Sequence, residues 1–197
     1  MNRFSNLIFN FRNRAENKIH THLTIEEKKE LLTLASSLRP NSVIVEIGSY
    51  LGASSVFLAK AVSSQNTKVY CIDTWENQGM SEGPRDTYEE FINNSAKYAD
   101  VIVPLRGFSS VIATDFNEEI DMIFFDGDHS FDGVFSDIKL WLPKMKQKGI
   151  VVFHDYGWAE GVRRVVHKFI LPITAMHYKT ANMWWGYLKN VSKELFC

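Results

Sequence analysis

The chain has 197 residues, 23 of them acidic and 22 basic, and is 45% hydrophobic and 13% aromatic. That length suits one domain, with at most a small extension, whose core needs no staples. The near-zero charge balance excludes a dedicated nucleic-acid binder, and the apolar content excludes disorder.

Near the N-terminus, Phe4, Leu7, Ile8 and Phe11 recur at helical spacing beside Arg3, Arg12 and Arg14. Two readings stay open. One is a helix packed on the domain or on a second copy, which leaves a homo-oligomer open. The other is a basic amphipathic contact with a membrane. The segment lacks the continuous apolar stretch of a signal peptide. Nowhere do about 18 apolar residues follow one another, so no transmembrane helix is expected. Cys71 lies in an apolar run and Cys197 is the last residue. They make neither a disulfide framework nor a zinc set, which points to a cytoplasmic protein with one buried and one exposed thiol.

Thr24 and Glu27 spell a capping box, and Ile25, Leu31, Leu32, Ala35 and Leu38 give that helix its apolar face. Residues 1–23 then read as an N-terminal extension and 24–197 as the domain. Pro40 and Asn41 end the helix. Strands are expected at 43–47, 68–72, 101–105, 121–125 and 150–153. Helices are expected from Ala53 to about Val62, over 86–98, from Phe131 to Trp141 and over 160–170. Lys144, Lys146 and Lys148 read as a solvated turn, and 174–179 with 183–188 as a hairpin closing at Ala181–Asn182. Strands alternating with helices imply an α/β fold, a doubly wound, mostly parallel sheet covered on both faces. Continuous apolar runs such as Met122 to Phe125 suit strands buried on both sides.

Ligands of such sheets bind beyond the carboxyl ends of the strands. The five strands are succeeded in turn by Glu46 to Gly52, Asp73-Thr74-Trp75, Arg106 to Ser110, Asp126-Gly127-Asp128-His129, and His154-Asp155-Tyr156. Polar and acidic residues thus collect at one edge. The first turn has Gly48 and Gly52 but Tyr50 where a dinucleotide fingerprint needs its second glycine, which disfavours an NAD(P)-dependent oxidoreductase. Asp73 offers two acceptor oxygens, enough for both hydroxyls of a ribose.

Residues 43–54, Asp73-Thr74-Trp75, Asp126 to Ser130 and 149–156 resemble the class I S-adenosylmethionine-dependent methyltransferases. More narrowly, they resemble the sugar and small-molecule O-methyltransferases of methyltransferase family 24, related to macrocin O-methyltransferase. The resemblance spans roughly residues 40–190. It implies a Rossmann-like, seven-stranded sheet whose last two strands form an antiparallel hairpin. It implies S-adenosylmethionine as cofactor. Glu46, Gly48, Ser49, Tyr50, Gly52 and Ser54 would take the methionine end, and Asp73, Thr74 and Trp75 the ribose. Gly107, Phe108 and Ser109 would flank the adenine, with Asp126 nearby. Relatives usually carry an acid where Phe108 stands, so Ser109 would substitute for it.

Related enzymes hold a divalent cation after the fourth and fifth strands, and Asp126, His154 and Asp155 occupy those places. Carboxylates suit Mg²⁺, whereas an imidazole leans toward Mn²⁺, Fe²⁺ or Zn²⁺. A hydrogen-bonded network without metal is the other reading. His129 is the expected general base, with Asp126 and Asp128 beside it, although His129 could instead cap the next helix. Gly79, Gly83 and Pro84 suggest a lid whose Arg85, Tyr88 and Phe91 reach the acceptor. Trp184-Trp185 would offer one face to a sugar. The expected activity is O-methylation of a sugar or other small metabolite. A catalytically silent cofactor-binding protein is the alternative outside enzymes.

Overall fold

A computed structural model describes residues 3–78 and 82–189. Seven strands form one sheet: β1 (Val43–Ile47), β2 (Lys68–Asp73), β3 (Ile102–Arg106), β4 (Ile120–Phe125), β5 (Met145–Phe153), β6 (Thr174–Lys179) and β7 (Trp184–Leu188). Their spatial order is β3-β2-β1-β4-β5-β7-β6. β3, β2, β1, β4 and β5 run parallel, and β7 is antiparallel to both β5 and β6. The expected seven-stranded, doubly wound sheet with its terminal hairpin is therefore present.

The α-helices are α1 (Arg3–Arg12), α2 (Ile25–Ser36), α3 (Ala53–Val62), α4 (Tyr88–Ser95), α5 (Ser109–Asp115), α6 (Phe131–Trp141) and α7 (Glu160–Val165). Alternate residues of each central strand enter opposite cores, as the period-2 geometry requires. Met122 and Phe124 join Leu31, Phe57 and Phe91 on one face. Ile123 and Phe125 join Ile138, Trp141 and Val165 on the other.

The capping box of α2 forms as read: Thr24 Oγ1 accepts from Glu27 N, and Glu27 Oε2 accepts from Thr24 N at 2.7 Å. The register between β4 and β5 shifts, Ile120 pairing with Met145 but Met122 with Ile150. β5 thus begins at Met145 and bulges, where a solvated turn was expected. Lys146 pairs with Asp121 at 2.8 Å, and Lys144 Nζ donates to the Phe116 carbonyl, so both lysines are structural. The expected 160–170 helix changes character at Val166, where a π-helical turn over Val166–Ile170 takes over.

Phe4, Leu7, Ile8 and Phe11 are exposed, and it is Phe9 of the same helix that stacks on Phe57. Two side-chain expectations are corrected. Phe91 is fully buried against Trp75, Tyr88 also packs on Trp75, and Arg85 pairs with Glu90. Trp184 and Trp185 are both buried, so neither offers a face to a sugar. Cys71 is buried and free as expected, while Cys197 and Gly79 lie outside the described residues.

Candidate active site at the carboxyl edge of the sheet

The chain leaves β1 toward β2 on one side and reaches β4 on the other. That divergence opens a crevice beyond their carboxyl ends. A cavity of about 1090 Å³ occupies it. One end is lined by Gly48, Ser49, Tyr50, Ser54, Asp73 and Thr74, another by Gly107, Phe108 and Ser109, and the floor by Asp126, Gly127, Asp128, His129, His154 and Asp155. Glu46, Gly52 and Trp75 lie behind the wall. Trp75, expected beside a ribose, is wholly buried, and its indole N–H donates to the Tyr50 carbonyl at 2.8 Å.

Asp73 organises the first end. Its Oδ2 accepts from Tyr50 N at 2.8 Å and its Oδ1 from Trp75 N at 2.7 Å. Tyr50 and Trp75 both sit at positive φ, as do Asn77 and Asp155. Four of the seven such non-glycine residues among the described residues thus gather at this crevice. Left-handed backbone is costly for residues with a side chain and is typical of functional loops. Ser49 Oγ is buried on the wall without a hydrogen bond among the described residues. Behind it Glu46 accepts from Ser55, and complete burial pushes its carboxyl up despite that donor.

The floor is an ionic cluster. His129 Nε2 lies 2.7 Å from Asp155 Oδ2. His154 Nδ1 lies 3.0 Å from Asp126 Oδ1 and 3.2 Å from Asp155 Oδ2. Asp155 Oδ1 also accepts from Trp158 Nε1 at 2.6 Å and Asn182 Nδ2 at 3.0 Å. Burial raises the Asp155 carboxyl, but the hydrogen bonds from His129 and His154 outweigh it and hold it far below the usual range. Burial raises Asp126 more than His154 lowers it. For His154, burial disfavours the charge, but Asp126, Asp155 and Glu27 together raise its pKa. The hydrogen bond to Asp155 leads in raising His129, with burial opposing. Donor atoms of Asp126, His154 and Asp155 all lie within 4.8 Å of one another, close enough to share one cation.

His129 does not cap α6. Ser130 does, accepting from Gly133 N, and Asp128 Oδ1 accepts from Ser130 N at 2.7 Å. Asp128 thus shapes the loop that presents His129.

Several residues at or behind the wall are invisible in the strand-end motifs. Asp137 of α6 lines the cavity and bonds Ser109 Oγ at 2.6 Å. Burial pushes its carboxyl up to about 6. An acid therefore stands beside the Gly107-Phe108-Ser109 loop, although Phe108 occupies the sequence position where one was sought. Glu27, from the α2 capping box, lies 3.7 Å from His154 Nε2. His20, Thr21, His22 and Leu23 close one side, and Trp158 stacks edge-on to His129 at 5.2 Å. The Thr24–Glu27 spacing was the only signal for any of these.

Residues 45–156 match the family model described as a methyltransferase domain. The uncharacterized protein y4gI of Sinorhizobium fredii is 27% identical over 126 residues, 62% of this chain. The chain spans only 14% and 28% of the lengths of two curated relatives that it matches. Among solved structures, the O-methyltransferase NovP superposes with a TM-score of 0.72 at 15% identity, over 87% of this chain and 83% of NovP. The O-methyltransferase TomG from Streptomyces achromogenes, involved in tomaymycin synthesis and solved with SAM, gives 0.67 at 18% identity, over 92% and 89%. At these identities the structural likeness is one of fold.

Proposed function

Since the chain belongs to methyltransferase family 24, its family model covering residues 45–156, we propose that it is an S-adenosylmethionine-dependent O-methyltransferase acting on a small-molecule hydroxyl, with sugars among the candidate acceptors. One observation carries this reading. A single cavity joins the Gly48–Ser54 turn and Asp73 at one end to the paired His129 and Asp155 at the other. The unsatisfied Ser49 Oγ on its wall fits a polar cofactor end.

The Gly48 to Ser54 turn would take the methionine end of S-adenosylmethionine, with Glu46 behind it, Asp73 and Thr74 the ribose, and Gly107, Phe108 and Ser109 the adenine. Asp73 keeps free lone pairs beyond its two backbone bonds, since a carboxylate has about four acceptor sites. S-adenosylmethionine supplies a methyl group on a sulfonium, so the protein's task is in-line positioning and removal of the acceptor proton.

His129 is the group we assign to the proton. Asp155 accepts from Nε2–H and so fixes the tautomer whose Nδ1 lone pair is left available. Among the described residues Nδ1 makes no hydrogen bond. Asp126 and Asp128 line the same cavity beside it. Two carboxylates and an imidazole also fit a divalent cation, which Asp126, His154 and Asp155 would hold and which would lower the pKa of an acceptor hydroxyl. The domain in this reading is 24–197, and a cytoplasmic location remains part of the proposal.

Two measurements test it. Titration calorimetry should give saturable heat with S-adenosylmethionine and none with NAD. Transfer of labelled methyl to a panel of sugars and phenols should then find an acceptor. On that acceptor His129→Gln should lose 10²- to 10⁴-fold in kcat, the usual worth of a positioned base, while still binding cofactor. Binding of NAD instead, or an unchanged kcat in His129→Gln, would overturn the assignment.

A further inference from the structure

Helix α1 carries no acidic residue. Its inner side is fixed to the body. Phe9 stacks on Phe57 at 5.7 Å, Asn13 just beyond the helix is buried, and Lys29 Nζ donates to Asn6 Oδ1 at 2.6 Å. At about 100° per residue, Leu7, Ile8 and Phe11 fall opposite that side, on one stripe with Phe4. They are 69%, 41% and 83% exposed, and Phe4 is 68% exposed. The helix cannot roll to bury this stripe without exposing Phe9. Arg12, the last residue of the helix, and Arg14, just beyond it, are both exposed. The nearest acid in sequence, Glu16, is buried and paired with Lys60 and Lys97.

We propose that α1 is a docking face for an anionic lipid surface, its apolar stripe entering the interface and Arg12 and Arg14 meeting lipid headgroups. Charge complementarity favours this occupant, because a helix with two exposed arginines at its end and no acid of its own would repel a second copy. Size favours it too. A ten-residue helix is about 15 Å long and about 10 Å wide. That footprint is far below the roughly 800 Å² per partner of a stable protein interface, yet it is ample for an interfacial helix. The chain runs from α1 to His20–Leu23 on the cavity wall, so docking would hold the cavity near the lipid surface. This inference does not depend on the methyl-transfer reading.

The test is co-sedimentation of the full chain with phosphatidylcholine vesicles, with and without a quarter phosphatidylglycerol, at low and high salt. Binding is expected only with phosphatidylglycerol and should fall at high salt. Leu7→Glu with Phe11→Glu should abolish it. Arg12→Gln and Arg14→Gln should each weaken it about fivefold, the worth of one basic residue at such a surface. Both substitution sets lie on the solvent side, so circular dichroism and cofactor affinity should match the parent. No sedimentation with anionic vesicles, or equal sedimentation with neutral ones, overturns the proposal. So does a dimer that Phe11→Glu dissociates, which would make a second copy the occupant.

Discussion

A Cβ built on Gly48 would lie 2.2 Å from the Asp126 carbonyl oxygen, and the residue has φ +87°. The glycine is therefore needed for contact between the β1 and β4 loops as well as for the turn. Gly48→Ala should cost about 2–4 kcal/mol through strain and loop displacement, seen as a lower denaturation midpoint at unchanged slope. Cofactor affinity should fall with it; an unchanged midpoint would mean that the loops part freely. Asp137 is the other decisive position, because burial and Ser109 aim its carboxyl at the cavity end assigned to adenine. Asp137→Ala should weaken S-adenosylmethionine binding about tenfold, the worth of one charge-assisted hydrogen bond, with kcat little changed. A drop confined to kcat would place Asp137 with the chemistry instead. The acids Asp73, Asp126 and Asp155 were legible because apolar strand runs end at or just before them, and Glu46 because it interrupts the apolar run of β1. Asp137, Asn182 and Glu27 were not, because no local pattern says which distant element folds against a strand end.

At the level of elements, legibility followed length and periodicity. The eleven residues of α6 repeat apolar positions often enough to be read, whereas α5 has seven and comes after a polar loop. The β5 bulge was missed because its lysines look solvated and their carboxylate and carbonyl partners lie far away in sequence. The short 3₁₀ turn Glu16–Lys18 joins α1 to the body through Glu16. Tyr98 Oη lies 2.6 Å from its carboxylate, Lys97 Nζ 2.9 Å and Lys60 Nζ 3.2 Å. Burial alone would raise this carboxyl, but Tyr98 and Lys97 outweigh it and hold it at about 2. A folded-state pKa below the unfolded value stabilises above that unfolded value and is lost as pH falls toward the folded one. A drop from 4.5 to about 2 corresponds to about 3 kcal/mol, discounted to about 2 because Lys97 is largely solvated. The parent should thus lose stability between about pH 4.5 and 2, and Glu16→Gln should lose much of that slope while starting lower at pH 7. Parallel pH profiles for the two proteins would remove Glu16 from the acid response.

Over the whole molecule, a formal charge of −1 conceals an uneven layout. Arg12, Arg14 and Lys18 cluster beside α1, while Asp73, Asp126, Asp128, Asp137 and Asp155 line one cavity. A crevice rich in carboxylates attracts a sulfonium and disfavours a pyrophosphate, which is how the balanced total and the site agree. Asp126 and Asp155 are already paired with His154 and His129, so occupation of the cavity should stabilise the fold by mass action on the native state. A ligand that binds only the native state at 100 times its dissociation constant adds about 2.7 kcal/mol. For a chain of this size that amounts to roughly 5–10 °C in Tm. S-adenosylmethionine should produce such a shift, NAD none, and Asp73→Ala should lose it. Asp73→Ala also frees the Tyr50 and Trp75 amides, so its own Tm should fall; the reading is taken from the ligand-dependent increment alone. A shift equal in the parent and in Asp73→Ala would move the cofactor away from the β2 end of the cavity. No shift up to millimolar S-adenosylmethionine would leave the acidic crevice to another cation.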